Sequence, residues 1–295
     1  MTDDPFVAHR SLLFTVAYEM LGSAADAEDV VQETWLRWDD LGASGRDDVR
    51  DARAYLVRIV TRQALNRLRA LARRREEYVG DWLPEPLLTS PDVAEDVELA
   101  ESVSMAMLTV LETLGHTERA VFVLREAFDL PYDEIAEAVG RTAAAVRQIA
   151  HRAREHVAAR RPRVQVGRPE QEAVVQRFLA AVRGGDLQEL LDVLAPDVVL
   201  VSDGGGVVPA ARRPIEGAAR VSALLAGLAK LDGDFQALST WINGAPAARF
   251  ELDGDLNTVA SLVIADGHVA RIYAVRNPHK LTRLGQETEL SRSTG

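Results

Sequence analysis

The segment TERAVFVLREAFDLPYDEIAEAVGRTAAAVRQIAHRAREHVAA, Thr117 to Ala159, carries three helical patterns separated by two turns. Thr117-Glu118-Arg119 opens the first helix, which runs to Phe128. Asp129-Leu130-Pro131 stops it, because proline fixes φ and lacks an amide hydrogen. Tyr132 to Val139 makes a short second helix. Gly140-Arg141-Thr142 is a tight turn, and Thr142 is placed to cap a long third helix from Ala143 to Ala159. Short helix, glycine-bearing turn and long helix together form a helix-turn-helix. Ile135, Ala136 and Val139 are spaced to pack on Val146, Ile149 and Ala153. Gln148, His151, Arg152 and Glu155 then point away from that packing face. The start of such a helix enters the major groove of DNA. Arg147, Gln148 and His151 are placed to reach bases, and Arg141, Arg152 and Arg154 to meet phosphates.

The net charge of −11 over 295 residues argues against a nucleic-acid partner until its distribution is read. Between Glu76 and Glu118 there is no Lys or Arg. Arg58, Arg62, Arg67, Arg69, Arg73, Arg74 and Arg75 lie just before that acidic spacer. Arg141, Arg147, Arg152, Arg154, Arg160, Arg161 and Arg163 follow it. Two basic patches around an acidic spacer, rather than their sum, are the informative pattern.

Upstream, Leu12, Leu13, Val16, Ala17 and Met20 recur at helical spacing up to Gly22-Ser23. A second helix sets Val30, Val31, Thr34, Trp35 and Trp38 on an apolar side, and Asp29, Gln32, Glu33 and Arg37 on a polar one. That acidic face reads either as a solvated surface or as a dock for a basic partner. Gly42 to Asp51 is expected to be a polar loop. A third helix over residues 52–74 should bury Tyr55, Leu56, Ile59, Val60, Ala64 and Leu68. Its arginines suit salt-dependent contact with phosphates, and Asn66 can hydrogen-bond a base edge. Gly80, Pro84, Pro86 and Pro91 break the helical pattern over residues 77–96. This stretch reads as a flexible linker with one sticky segment, Trp82-Leu83-Pro84-Glu85-Pro86.

These segments resemble a known family. Asp26-Ala27-Glu28-Asp29-Val30-Val31-Gln32-Glu33-Thr34-Trp35-Leu36-Arg37 looks like the core-binding segment of extracytoplasmic-function (ECF) sigma factors. Ala54-Tyr55-Leu56-Val57-Arg58-Ile59 through Asn66-Arg67-Leu68-Arg69 resembles their promoter-melting helix. Glu118 to Arg125, Leu130 to Ala136 and Arg147-Gln148 resemble their minus-thirty-five reader. The resemblance implies that Asp29, Gln32 and Glu33 bind the clamp helices of core RNA polymerase. It implies that Arg62, Asn66, Arg69 and Arg73 meet the minus-ten element, with a flipped base received by residues 43–51. Arg141, Arg147, Gln148, His151 and Arg152 would then read the minus-thirty-five element of promoter DNA.

Beyond Arg160 to Pro169 the pattern changes class. Amphipathic helices are expected over 172–182, 187–194 and 218–231, and strands over 198–202, 235–242, 247–252, 258–265 and 268–275. Helices followed by an antiparallel meander imply an α+β domain. Asp203-Gly204-Gly205-Gly206 and Asn277-Pro278-His279-Lys280-Leu281, with the Trp82 to Pro86 segment, resemble the SigJ-type subgroup. In that subgroup a SnoaL-like cone of the NTF2 fold follows the sigma module. The subgroup's glycines are usually followed by lysine, whereas this chain has Val207, which removes any ionic contact that lysine would make.

The expected organisation is multidomain. A sigma region 2 domain (1–76) and a helix-turn-helix region 4 domain (101–163) are joined by a linker (77–100). A second linker (164–169), the α+β cone (170–285) and a tail (286–295) follow. Trp82, Leu83, Pro84, Glu85, Pro86, Asp203, Gly204, Gly205, Gly206, Asn277, Pro278 and Lys280 are expected to make regulatory contacts within the chain. No apolar run approaches the roughly 20 residues a bilayer span needs, and the acidic start lacks a signal-peptide pattern. Both fit a cytoplasmic protein. Cysteine is absent, which excludes disulfides and thiolate metal sites. His151 has no second ligand at helical spacing, so neither metal nor cofactor is expected. Two alternatives remain: a polymerase-independent operator binder, and a SnoaL-type enzyme or small-ligand sensor with a DNA-binding module. For the enzyme, Asp203, Asp197 or His268 would serve as acid or base, although Asp before glycines is first of all turn chemistry.

Overall fold

The computed structural model describes residues 4–161 and 167–292, and only the backbone of residues 73–76. The side chains of Arg73, Arg74 and Arg75, and all of Arg163, therefore lie outside the described residues.

The first helical unit holds α1 (Pro5–Leu21), α2 (Ala24–Asp39), α3 (Gly42–Asp47) and α4 (Ala52–Glu76). Asp4 caps α1 through the Phe6 amide, and Ser23 caps α2 through the Asp26 amide. Gly22 ends α1 at φ 64°, a conformation that costs glycine nothing. Residues 42–51 are not simply a loop, since α3 occupies the first six of them. Trp35 also departs from its apolar assignment. It is 39% exposed, while Val30, Val31, Thr34 and Trp38 are buried. On α4, Tyr55 and Ile59 are only partly buried, while Leu56, Val60, Ala64 and Leu68 are in the core.

A 3-10 turn (Pro91–Glu95) leads into the second unit: α5 (Val97–Ser102), α6 (Met105–Leu111), α7 (His116–Phe122), a π-turn (Val123–Ala127), α8 (Tyr132–Val139) and α9 (Ala143–Arg160). Thr142 caps α9 by accepting from the Ala145 amide at 3.2 Å, and Gly140 has φ 68°. The turn chemistry read from sequence is thus the turn chemistry of the helix-turn-helix. The two helical units share one hydrophobic core, running from Phe6 through Leu68 to Ile135 and Val157, with Leu87 of the linker inside it.

The C-terminal domain contains α10 (Arg168–Gly184), α11 (Leu187–Val193), β1 (Leu194–Asp203), β2 (Ile215–Glu216), α12 (Ala218–Leu228), β3 (Phe235–Ile242), β4 (Ala245–Leu252), β5 (Asp255–Ala265), β6 (His268–Val275) and α13 (Pro278–Leu281). The sheet order is β2-β1-β6-β5-β4-β3. The meander β3 to β6 is antiparallel as expected, but β6 returns parallel to β1, pairing Leu200 with Ile272. A parallel pair needs a long crossover, which the chain from Gly204 to β5 supplies. This is an NTF2/SnoaL-like α+β fold.

Strand alternation gives the sheet two apolar faces. Ala248, Phe250, Ala260, Ile264 and Ile272 pack against α10, α11 and α12. On the opposite face, Ile242, Ala247, Val259, Val263, Tyr273 and Val275 join Leu83 of the linker and Met105 of α6. The second face is therefore the seam between the C-terminal domain and the helical units. The linker is not flexible in its central part: Leu83 to Leu87 are all buried.

Candidate functional site

The acidic face of α2 is exposed at Asp29, Gln32 and Glu33. The α2 periodicity puts all three opposite the buried Ala27, Val30, Val31 and Thr34. Arg67 of α4 reaches across to it, 3.2 Å from Asp26, 3.4 Å from Asp29 and 3.3 Å from Glu33. Gln63 also donates to Glu33 at 3.0 Å. The face thus holds an internal cation that an external basic partner would have to replace.

On α4, Arg62, Asn66 and Arg69 are exposed, and Arg69 donates to the Asn66 side chain at 3.1 Å. Arg62 is not open to a partner on every side. Its guanidinium donates to the Glu137 carbonyl of α8 at 2.8 Å, and Arg58 pairs with the Glu137 carboxylate at 3.1 Å. A cavity of about 360 Å³ lies beside this contact. It is lined by Asp48 to Asp51, Ala54, Tyr55 and Arg58 from the first unit and by Glu134 and Glu137 from α8. The stretch expected to take a flipped base is thereby walled by the second unit.

Arg141, Arg147, Gln148, His151 and Arg152 are all exposed around the start and outer face of α9. Arg147 lies 5.8 Å from the Tyr132 ring centroid, and His151 is 3.6 Å from Glu155. This face stands clear of the core formed by Val146, Ala150 and Ala153.

The motif residues of the C-terminal domain converge on the linker. The Asp203 carboxylate is fully buried. One oxygen accepts from the Tyr78 hydroxyl at 2.6 Å and the Gly205 amide at 2.9 Å. The other accepts from the Leu83 amide at 3.0 Å and from Lys280 at 2.7 Å. Lys280 also donates to the Leu83 carbonyl and lies 4.1 Å from the Trp82 ring centroid, a cation–π contact. Asn277 donates its amide to the Tyr78 hydroxyl at 2.9 Å, while Pro278 begins α13. Gly205, at φ 62°, faces the Asn277 amide so closely that a β-carbon there would collide with it. Gly206 faces Val79 and Gly204 faces Val208. Val207 is 56% exposed, outside this cluster. Burial, and the hydrogen bond to Asp203, push the Tyr78 hydroxyl well above its usual range. Burial and the Asp203 charge raise the Asp81 carboxyl.

Glu85 completes the linker's attachment from the other side. It is buried, and its carboxylate accepts from the Ala24 amide at 2.8 Å at the start of α2. A carboxylate there meets the positive end of the helix dipole, although burial still raises its proton affinity. Trp82 packs on Gly22, where a β-carbon would come within 2.8 Å of the indole. Pro84 and Pro86 are buried beside it.

The acid–base role considered for Asp203 does not suit its surroundings. The four donors around Asp203 make it a structural ion-pair member. Asp197 and His268 are exposed, and the His268 ring is 2.7 Å from the Asp266 carbonyl.

Several contributors carried no sequence signal beyond turn or helix propensity. Asn243, in the β3–β4 turn at φ 54°, accepts from the Leu87 amide at 2.9 Å. Its amide donates to the Tyr18 hydroxyl at 2.7 Å and the Val103 carbonyl at 2.8 Å. One turn residue thus binds the first unit, the linker and the second unit. The tail does likewise: the Ser291 amide donates to Thr15 at 3.0 Å and Arg292 to the Ala127 carbonyl at 2.7 Å.

Glu19 of α1 is buried 2.8 Å from the Ser102 hydroxyl of α5, and burial pushes its pKa up to about 8. The folded chain therefore holds this proton more tightly than the unfolded chain, whose carboxyl titrates near 4.5. Glu19 consequently makes stability fall as pH rises from about 4.5 to about 8. The Glu19→Gln variant is expected to melt with a shallower decline over that window. Parallel melting curves for the two proteins would refute the assignment.

Comparison with known proteins places this geometry. The sigma-70 region 2 family model matches residues 6–74, and the sigma-70 region 4 model matches residues 104–157. The two helical units are thus those of a sigma-70-type transcription initiation factor. The chain is 36% identical to the ECF RNA polymerase sigma factor SigJ of Mycobacterium tuberculosis, across 98% of its own length and 96% of the relative's. It is 34% identical to the probable ECF sigma factor SigI of the same species, across 95% and 94%. The crystal structure of M. tuberculosis SigJ superposes with a TM-score of 0.74 over 94% of this chain and 96% of that one. The chain belongs to the ECF sigma factor family: it is an alternative sigma factor acting in transcription initiation, with a SnoaL-like domain at its C-terminus. Among the described residues, no helix is long and apolar enough to cross a membrane.

Proposed function

We propose that the chain acts in the cytoplasm by guiding core RNA polymerase to specific promoters, and that its C-terminal domain restrains it from within. Asp29, Gln32 and Glu33 dock on the clamp helices of core polymerase. Arg62, Asn66, Arg69 and Arg73 hold the minus-ten element. Arg141, Arg147, Gln148, His151 and Arg152 hold the minus-thirty-five element. The protein makes and breaks no covalent bonds itself. The clamp formed by Asp203, Tyr78, Asn277 and Lys280 fixes the linker, and the fixed linker keeps the two helical units together.

One observation carries the restraint: Glu137 of α8 engages both Arg58 and Arg62 of α4. DNA cannot lie along α4 at these positions while α8 is docked there. The Glu137→Arg variant sets like charges against Arg58 and removes a half-exposed ion pair worth about 1 kcal/mol or less. Promoter-specific transcription at limiting sigma is expected to rise roughly three- to tenfold, since about 1 kcal/mol shifts a two-state equilibrium by that order. Unchanged or lower transcription, with core polymerase binding intact, would rule out this contact as the restraint.

A further inference from the structure

We infer that the seam between the second helical unit and the C-terminal domain is a binding site for a small, neutral, mostly hydrocarbon ligand bearing one hydroxyl or carbonyl group. The inference rests on the domain arrangement proposed above, but it concerns a different surface from the linker clamp. A cavity of about 320 Å³ opens there. Val97, Met105 and Ala106 of α5 and α6 line one side; Ile242, Val263 and Tyr273 of the sheet line the other. This volume is at the lower end of the range of about 300–1,000 Å³ for small-molecule sites, which are typically apolar with a few placed polar groups.

The polar group is Ser261 of β5. It lines the cavity, and its hydroxyl is buried with no hydrogen-bond partner among the described residues. Its oxygen is shielded from the cavity in this orientation, and a turn about the Ser261 Cα–Cβ bond brings it to the wall. Leaving such a group unmatched costs roughly 1–3 kcal/mol, so a ligand carbonyl or hydroxyl that meets the turned hydroxyl gains specificity as well as contact area. The charges at the rim do not select an anion. Arg161 is paired with Glu101, and Arg168 with Glu172 at 3.0 Å, with the Arg168 guanidinium 4.7 Å from the Trp241 ring centroid. The cavity lies at the edge of the cone: Ile242, Val263 and Tyr273 belong to the sheet face turned away from α10 to α12, while Leu262, Ile264 and the start of α10 at Arg168 and Gln171 complete the wall.

Location gives the site a consequence. A ligand here touches α5 and α6 of the DNA-binding unit and the sheet of the regulatory domain at once. It binds the docked arrangement and not a separated one, so it shifts the population toward docking. The ligand is accordingly a co-repressor of promoter use in this chain.

The probe for testing this is 6-propionyl-2-(dimethylamino)naphthalene, which is neutral, aromatic and carries one carbonyl. Titrated into the full chain, it should give saturable one-to-one binding with blue-shifted emission, and raise the melting temperature by about 2–4 °C at saturation. Ala106→Trp fills the cavity from α6, and Ser261→Leu fills it from the sheet. Each variant, checked for cooperative melting, should bind the probe at least about tenfold more weakly. If one fails to fold, the other decides. No saturable binding by the parent chain, or undiminished binding by a folded filled variant, overturns the inference. Transcription by the Glu137→Arg variant without probe reads the restraint separately, so the two proposals fail independently.

Discussion

Changing Asp29 and Glu33 together to arginine is expected to weaken binding to core RNA polymerase by about 100-fold or more, with little change in stability. Both side chains are about half exposed, at 58% and 47%. Both pair with Arg67, and exposed pairs of this kind are each worth about 1 kcal/mol or less, so the loss of stability stays small beside the loss of affinity. At an interface the effect differs, because the complementary charge of the partner is desolvated. Removing one member of a buried interfacial pair costs about 2–5 kcal/mol, and each 1.4 kcal/mol is about tenfold in affinity. Charge reversal adds repulsion to that loss. Within the chain, Arg67 now spans Asp26, Asp29 and Glu33, and the variant leaves it with Asp26. Titration of labelled core polymerase with parent and variant, each checked by circular dichroism, measures the difference. Equal affinities would sink the assignment of this face, and specific DNA binding by the purified chain alone would then favour a polymerase-independent regulator.

The second large effect is expected at the linker clamp. Lys280→Met should destabilise the docked linker by about 3–5 kcal/mol, the range for removing one partner of a buried ion pair. Asp203 is fully buried and Lys280 only 12% exposed, so solvent cannot replace the lost cation readily. Three donors, from Tyr78, Leu83 and Gly205, would still face the carboxylate, which places the cost toward the lower end of that range. Protease cleavage at residues 77–82 should become faster, and the melting temperature should fall. Asp203→Asn combined with Lys280→Met buries no charge and should recover a large part of the loss. Cleavage and melting that match the parent in the single variant would show that the linker is held mainly by Glu85, Trp82 and the seam. A double variant no better than the single one would show that hydrogen bonding, not charge balance, dominates.

The helix-turn-helix was legible in the sequence because its determinants are local. Gly140 accepts positive φ, Thr142 offers a capping oxygen, and apolar spacing selects the packing face; each acts within a few residues of itself. The strands over 235–242 and 268–275 were equally legible, since alternation and Asp266-Gly267 define them within a short window. The identity of the motif residues around Asp203 and Lys280 also followed from the sequence, through resemblance. Their partners did not. Tyr78 lies 125 residues before Asp203, and no feature near it marks a hydroxyl bound to a buried carboxylate. Asn243 lies between the strands expected over 235–242 and 247–252, a position that says nothing of partners, yet it joins Tyr18, Leu87 and Val103. The segment Trp82 to Pro86 reads as a sticky piece of a flexible linker, because prolines exclude a helix and Trp and Leu are apolar; how deeply it is buried, and that the linker is fixed by it, is not written in those residues.

What the sequence determined by itself was the set of elements and, for the helices, the faces they offer: an acidic α2, an arginine-bearing α4, a recognition helix, and the strands of an antiparallel meander. What only the tertiary structure decided was which of those faces meet. The second face of the sheet covers the linker instead of solvent, Glu137 occupies Arg58 and Arg62, and Arg67 answers Asp29 and Glu33. Such pairings depend on loop closure over many residues and on the shared burial of a common core. No local propensity encodes them, and a chain with the same helices and strands could satisfy the same periodicities in a different assembly.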